Sequence, residues 1–388
     1  MASGSEILLG IDLGTTFSTA AAVFDGKMQF ALDARGEACF PSVVHFPKSG
    51  PPLVGVEADR LRASDPQNTV FGIKRLVGRP ADSGPARLLD ACSAFRIRSQ
   101  GADEAAVEVR TGTYAASEVA ALILRHLRER AEARFGRRIA KAVLTVPVTA
   151  GQGIRDAMVR CGRMANLEVV RILSEPCAGA VARGIGTAAS DTGPVLVYDF
   201  GGGTFDATVV QRAGAQLRVL SAGGDECLGG DDLSLAFAKF VESGVYRVHG
   251  VEVSRDVVLW DRVQRQCELV KRALSTSLEA RYHLADAFSG GGRPKDLDFV
   301  FHRDHLAPHW SEFVERSLEA AAQTVREAGL DVHDLAGILL IGGTTFVPQV
   351  RAGVARAFPR PYVAEDDPQT AVARGAALLA ANPALLET

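Results

Sequence analysis

The sequence lacks most of what a secreted, membrane-spanning or nucleic-acid-bound protein needs. Its six cysteines (Cys39, Cys92, Cys161, Cys177, Cys227, Cys267) form no CxxC pair and no metal-ligand cluster. That scatter excludes a disulfide framework, makes zinc an unsuitable cofactor, and predicts reduced thiols in a cytoplasmic protein. No run of 18 apolar residues is present, and residues 1–10 have neither a basic start nor a long apolar stretch, so neither a membrane span nor a secretory leader is expected. Charge is nearly balanced, 43 basic against 46 acidic side chains for a net −3, which leaves no global attraction for nucleic acid or an anionic membrane. The arginine-rich stretch 125–138 is interrupted by Glu129 and Glu132 and reads as a solvated helix face. A Gly-x4-Gly-Lys-Ser/Thr loop is also missing, which excludes a P-loop enzyme.

What remains is a globular chain of 388 residues, 47% hydrophobic and 23% charged, with room for two or three domains. It carries an internal duplication. Asp12-Leu13-Gly14-Thr15-Thr16 is echoed by Asp199-Phe200-Gly201-Gly202-Gly203-Thr204, and residues 180–184 recur letter for letter at 371–375, at nearly the same offset. Each half opens with three apolar strands around a glycine turn, predicted at 7–12, 18–24 and 28–32, then at 195–199, 205–210 and 216–221. Each closes as strand, helix, strand, helix: 142–146, 153–164, 169–173 and 176–185, against 337–341, 347–358, 362–364 and 370–381. This pattern predicts an α/β fold with mixed sheets and helices on their faces. Unmatched insertions at about 41–117 and 229–309 predict added subdomains, the second with an amphipathic helix over 257–274 and strands around a Ser289-Gly290-Gly291-Gly292 turn.

The two glycine turns point to phosphate chemistry. A strand ending in Asp, followed by Gly and Thr, exposes backbone N–H groups to phosphate oxygens, because glycine permits close approach and positive φ. Thr15, Thr16 and Thr204 add hydroxyls. Two such turns facing each other would grip a polyphosphate, with Asp12 and Asp199 holding a hydrated magnesium. The bland alternative is a pair of hairpin turns; three consecutive glycines, costly to order, favour a ligand.

These residues carry a resemblance. GIDLGTTFS (10–18), NTVFGIKRLVGR (68–79), AVLTVPV (142–148), LEVVRILSEPCAGAVARG (167–184), VYDFGGGTFDATVV (197–210), ECLGGDDL (226–233), CELVKRALSTS (267–277) and ILLIGGTTFVPQV (338–350) resemble the ATPase domain of the seventy-kilodalton heat-shock proteins, the DnaK-type chaperones. The resemblance covers nearly the whole chain. It implies the duplicated actin-like, ribonuclease H-like fold with ATP between two lobes: lobe I over 7–190, lobe II over 191–363, and a segment 364–386 returning to lobe I.

It also implies roles. Lys74, Glu175, Asp199, Thr204 and Asp206 would be catalytic. Gly14, Thr15, Thr16, Phe17, Gly201, Gly202, Gly203 and Thr204 would bind phosphates, with magnesium held through water by Asp12 and Asp199, and potassium a further candidate. Gly229, Gly230, Glu268, Lys271, Arg272, Ser275, Gly342, Gly343 and Phe346 would surround adenosine. Pro147 and Arg155 match the family's relay, and Arg171 a position that docks the J-domain co-chaperone; a nucleotide exchange factor is a further implied partner. The sequence departs from the family at Phe346, where arginine is usual, and at Gln369, where an acidic residue is usual. Nothing in it reads as the family's β-rich peptide-binding domain. The function implied is a slowly hydrolysing ATP switch; a small-molecule kinase and a non-catalytic nucleotide-binding or filament-forming protein on the same scaffold are the alternatives.

Overall fold

The computed structural model describes residues 6–100, 104–184, 193–213, 216–290, 293–364 and 367–382. Two mixed sheets form its base. In the first, Glu168–Ser174, Lys141–Val146, Leu8–Asp12, Phe17–Phe24 and Lys27–Phe30 lie side by side in that order, with Phe40–Pro41 pairing off the path. In the second the order Tyr362–Ala364, Gly337–Ile341, Val195–Phe200, Phe205–Ala213, Gln216–Asp225 repeats it element for element. In both, the opening strand is antiparallel to its hairpin partner and parallel to the later strand. The duplication read from short motifs is therefore a duplication of sheet topology. Asp25 and Gly26, with φ of 51° and 72°, make the first hairpin turn, where both central residues need positive φ.

Each half has its own large core, one around Leu9, Ile11 and Leu144, the other around Tyr198, Phe200 and Phe237. The closing helices join the halves. Ala178 and Ala180, from Glu175–Ala182, pack with Val197, Leu339 and Ile341 of the second sheet. Ala373, Ala376, Ala377 and Ala380, from Ala371–Ala381, pack on Ala21 and Val143 of the first. The two helices also touch backbone to backbone: a Cβ on Gly375 would fall 1.7 Å from the Ala178 carbonyl oxygen. Small side chains make this approach possible.

The insertions stand above the sheets. The first holds the three-stranded sheets Leu53–Val54, Val44–His45, Thr69–Val70 and Gly112–Ala115, Glu104–Val109, Arg96–Gln100, with helices Val56–Leu61 and Gly84–Cys92. The second holds helices Gly230–His249 and Val257–Leu274 and the hairpin Glu279–Gly290, Arg293–His302; Gly291 and Gly292 of the expected turn lie outside the described residues. Part of the expected helix 176–185 does too, and its described portion ends at Ala182. The arginine-rich stretch differs from its reading as a solvated face. In helix Ala116–Phe135, Arg125, Arg128 and Arg130 are half-buried and donate to the carbonyls of Met164, Asn166 and Leu32. Their long stems reach neighbouring loops that the helix pattern alone does not reveal.

Candidate functional site

A cleft of about 290 Å³ lies between the halves. Its floor is built from strand ends. Asp12 closes Leu8–Asp12 and Asp199 sits one residue before the end of Val195–Phe200, so equivalent strands of the two sheets deliver carboxylates to one place. The glycine turns after them touch: a Cβ on Gly202 would fall 2.0 Å from Thr16 Oγ1, and one on Gly203 would fall 2.5 Å from Thr15 Cγ2. No larger residue fits at either glycine while the turns keep this approach. Gly14, Thr15, Thr16, Phe17, Gly201, Gly202, Gly203 and Thr204 all line the cleft.

Lys74 enters from a short 3-10 turn, Ile73–Arg75, in the first insertion. Its Nζ donates to Glu175 Oε1 at 2.7 Å, the two side chains being 14% and 7% exposed. Two of the expected catalytic side chains are thus in direct contact. Asp206 stands opposite Asp199 in the antiparallel register, buried just behind the cleft lining. Burial drives the charges of this cluster. It pushes Asp199 well above the usual carboxylate range, with Glu175, Asp206 and Asp12 adding repulsion. It raises Asp206 to about 7 and Asp12 to about 6 against the pull of Lys74. For Lys74 burial acts in the other direction, but Glu175, Asp12 and Asp206 outweigh it and the ammonium rises to about 12.

Four carboxylates thus face one ammonium, an imbalance that a divalent cation would relieve. Among the described residues no three His, Cys, Asp or Glu side chains converge as a ready metal cage. Asp12 and Asp199 fit an ion that keeps much of its water shell, as magnesium does.

The other end of the cleft is lined by Glu268, Lys271, Arg272, Ser275 and Thr276 from the end of Val257–Leu274, and by Gly342, Gly343, Phe346 and Gln369. Lys271 is buried and its ammonium is committed to Gly230 O, Ser234 Oγ and Glu268 Oε2 at 2.6, 2.9 and 2.5 Å. It fastens this helix to the start of Gly230–His249 rather than pointing a free charge at a ligand. Gly230 lines the cleft, whereas Gly229 lies behind it, its Cβ position 2.3 Å from Gly202 O. Gly342, at φ 83°, places its backbone against Asp199.

The expected relay residues lie outside this cleft. Pro147 lines a small adjoining cavity shared with Thr15, Lys74 and Thr204. Its carbonyl accepts from Ala150 N, and Ala150 O accepts from Arg155 Nε at 3.1 Å, so a hydrogen-bonded chain runs from that cavity to Arg155. Arg171 is half-buried in Glu168–Ser174, paired in register with Val143.

Sequence reasoning missed the ion pairs that cross the cleft. Arg62 Nε meets Asp261 Oδ1 and Arg265 Nη2 meets Asp59 Oδ2, both at 2.8 Å, bridging the two insertions. Arg79 reaches Glu226 at 2.7 Å, and Arg75 approaches Asp231 and Asp232. Asp231 also accepts from Thr16 Oγ1. No local spacing announces partners so distant along the chain. Among the described residues no helix is long and apolar enough to cross a membrane.

Paired glycine turns and strand-end aspartates meeting in one cleft accord with an ATP-binding protein of the heat-shock chaperone type, a family whose general chemistry is ATP hydrolysis with magnesium. The family model described as Hsp70 protein matches residues 8–383, nearly the whole chain, and the chain belongs to the Hsp70 family.

Proposed function

We propose that this protein is itself a slow ATPase, in which ATP hydrolysis in the cleft drives rotation of two lobes, 7–190 and 191–363, with 364–386 returning to the first. The observation that carries the reading is the Lys74–Glu175 pair, set among Asp12, Asp199 and Asp206 beside two facing glycine turns. The turns cradle the phosphates through backbone N–H groups and the hydroxyls of Thr15, Thr16 and Thr204. Asp12 and Asp199 would hold magnesium through its water shell, which would supply positive charge to neutralise the polyphosphate. Lys74 turns its ammonium to the γ-phosphate, while Glu175, Asp199 and Asp206 orient a water whose oxygen bonds to the γ-phosphorus as the bond to the β–γ bridging oxygen breaks and ADP leaves; the water's proton passes to Asp206. With Asp206 at about 7, that carboxylate exchanges a proton near neutral pH. Catalysis is positioning and electrostatics, which suits slow turnover.

At the other end, Glu268 Oε2 is taken by Ser234 and Lys271, which leaves Oε1 as the acceptor for a ribose hydroxyl. The readout is lobe rotation, relayed through Pro147 and Arg155 to a J-domain co-chaperone at Arg171, with an exchange factor prising the cleft open. The test is single-turnover hydrolysis of ATP with magnesium and potassium. Lys74→Ala is expected to keep ATP binding and to slow hydrolysis by about 100-fold or more, the usual cost of removing a group that stabilises transition-state charge. An unchanged rate would remove Lys74 from the mechanism.

A further inference from the structure

We propose that the base end of this cleft is a purine pocket that accepts ATP and GTP alike, with the Gln369 amide reading the six-position of either ring. The inference rests on the reading of the cleft as a nucleotide site.

It follows from which hydrogen-bonding groups remain uncommitted there. All three donors of Lys271 are used within the protein. Ser275 Oγ donates to Lys271 O and Thr276 Oγ1 to Ala273 O, each at 3.3 Å, so the single proton of each hydroxyl is taken and only lone pairs face a ligand. Arg272 has no carboxylate partner among the described residues. Its guanidinium lies over the Phe17 ring at 5.2 Å, leaving the other face for a stacked base. Phe346 lines the same end, its ring backed by the Arg351 guanidinium at 5.4 Å, and Arg351 is anchored on Thr345 O. Phenyl and guanidinium surfaces hold a purine by its faces, without regard to its edge.

Edge reading falls to Gln369. Its side chain lies against Gly343, where a Cβ would come within 3.0 Å of Nε2, and among the described residues its amide has no protein partner. Adenine offers a six-amino donor beside the N1 acceptor; guanine offers a six-oxo acceptor beside an N1–H donor. At the six-position itself a carboxylate accepts only from the amino group of adenine, and an ammonium donates only to the oxo group of guanine. A primary amide carries donor and acceptor together and turns over to meet either. Strong discrimination arises when a buried polar group is left unpaired by the wrong ligand. Here Arg272 and Thr276 are exposed and Ser275 and Gln369 half-buried, so water satisfies whatever the base leaves free.

The test is calorimetric titration of the nucleotide-free full chain with the magnesium complexes of ATP, GTP and purine riboside triphosphate, which lacks a six-substituent. In the parent protein, the GTP Kd is expected within about tenfold of the ATP Kd, and purine riboside triphosphate about 3–10-fold weaker than ATP, the worth of one neutral hydrogen bond. In Gln369→Leu the three are expected within about twofold of one another, since the group that distinguishes them is gone. A GTP Kd more than tenfold above that of ATP overturns the inference on the parent protein alone, whether or not the variant folds. So does a Gln369→Leu protein that keeps the parent's ratio of ATP to purine riboside triphosphate. If none of the three binds, the nucleotide reading of the cleft fails as well; if only ATP binds, that reading stands and this inference falls.

Discussion

Replacing Lys74 by Met tests the charge balance of the cleft floor apart from any ligand. The ammonium sits 2.7 Å from Glu175 Oε1 with both groups largely buried, and Asp12, Asp199 and Asp206 crowd the same space. Breaking one side of a buried pair costs about 3–5 kcal/mol, mostly because the remaining charge is stranded. Protonation limits that cost. Burial already holds Asp206 and Asp12 at about 7 and 6 in the folded protein, against an ordinary carboxylate value of 3.8, and removing Lys74 raises them further. Between the unfolded and folded values the folded state holds more protons, so these groups destabilise it at high pH, and the penalty is relieved as pH falls through the folded values. The stability lost by Lys74→Met should therefore be largest at pH 8 and smaller at pH 6. Adding Glu175→Gln removes the stranded carboxylate and should return more than half of the loss. Urea unfolding of the nucleotide-free proteins at both pH values measures this. A Lys74→Met protein as stable as its parent at pH 8, or a double variant weaker than the single one, would refute the reasoning.

The contact between the closing helices makes Gly375→Ala a severe change: the added Cβ meets the Ala178 carbonyl, which cannot swing aside, and a loss of about 3 kcal/mol or more is expected in thermal unfolding. Gly244→Ala, inside Gly230–His249 with nothing within 4 Å of its Cβ position, should instead stabilise by about 0.5–1 kcal/mol; equal effects at the two sites would mean that the helix contact is looser than described. The ion pairs joining the insertions should slow nucleotide escape. Asp59→Asn with Asp261→Asn is expected to speed release of a fluorescent ADP about tenfold at low salt, in line with the loss of charge-assisted hydrogen bonds, and an unaltered release rate would show that the pairs do not gate the cleft.

Much of the fold was legible because the halves share one grammar of strand, glycine turn and closing helix. The helix expected over 257–274 is observed as Val257–Leu274, its start secured by Asp256 accepting from Val258 N and Leu259 N. The strand expected over 337–341 is likewise found as Gly337–Ile341. Those signals are local, and period and capping carry them. The cleft was half legible. Asp12 and Asp199 could be read from turn chemistry, but nothing around Lys74 sets it apart from Arg75; only the resemblance singled it out. The commitment of Lys271 to Gly230 and Ser234, the cross-cleft arginine pairs, and the arginines of Ala116–Phe135 that hold distant carbonyls were hidden for one reason. Each depends on which segments meet in space, and a charged side chain in a helix pattern reads as solvated until its partner is known.

The crossed packing of the closing helices also sets an order of events during synthesis. The face of the first sheet that carries Ala21 and Val143 is covered by Ala373, Ala376, Ala377 and Ala380, residues made near the end of the described chain. At roughly 5–20 residues per second on the ribosome, that face waits on the order of tens of seconds for its cover. Glu175–Ala182, made midway, equally waits for the sheet containing Leu339 and Ile341. Neither half can complete itself from its own sequence, so the nascent first half emerges with a bare apolar sheet face around Ala21 and Val143 that stays uncovered until the last helix arrives.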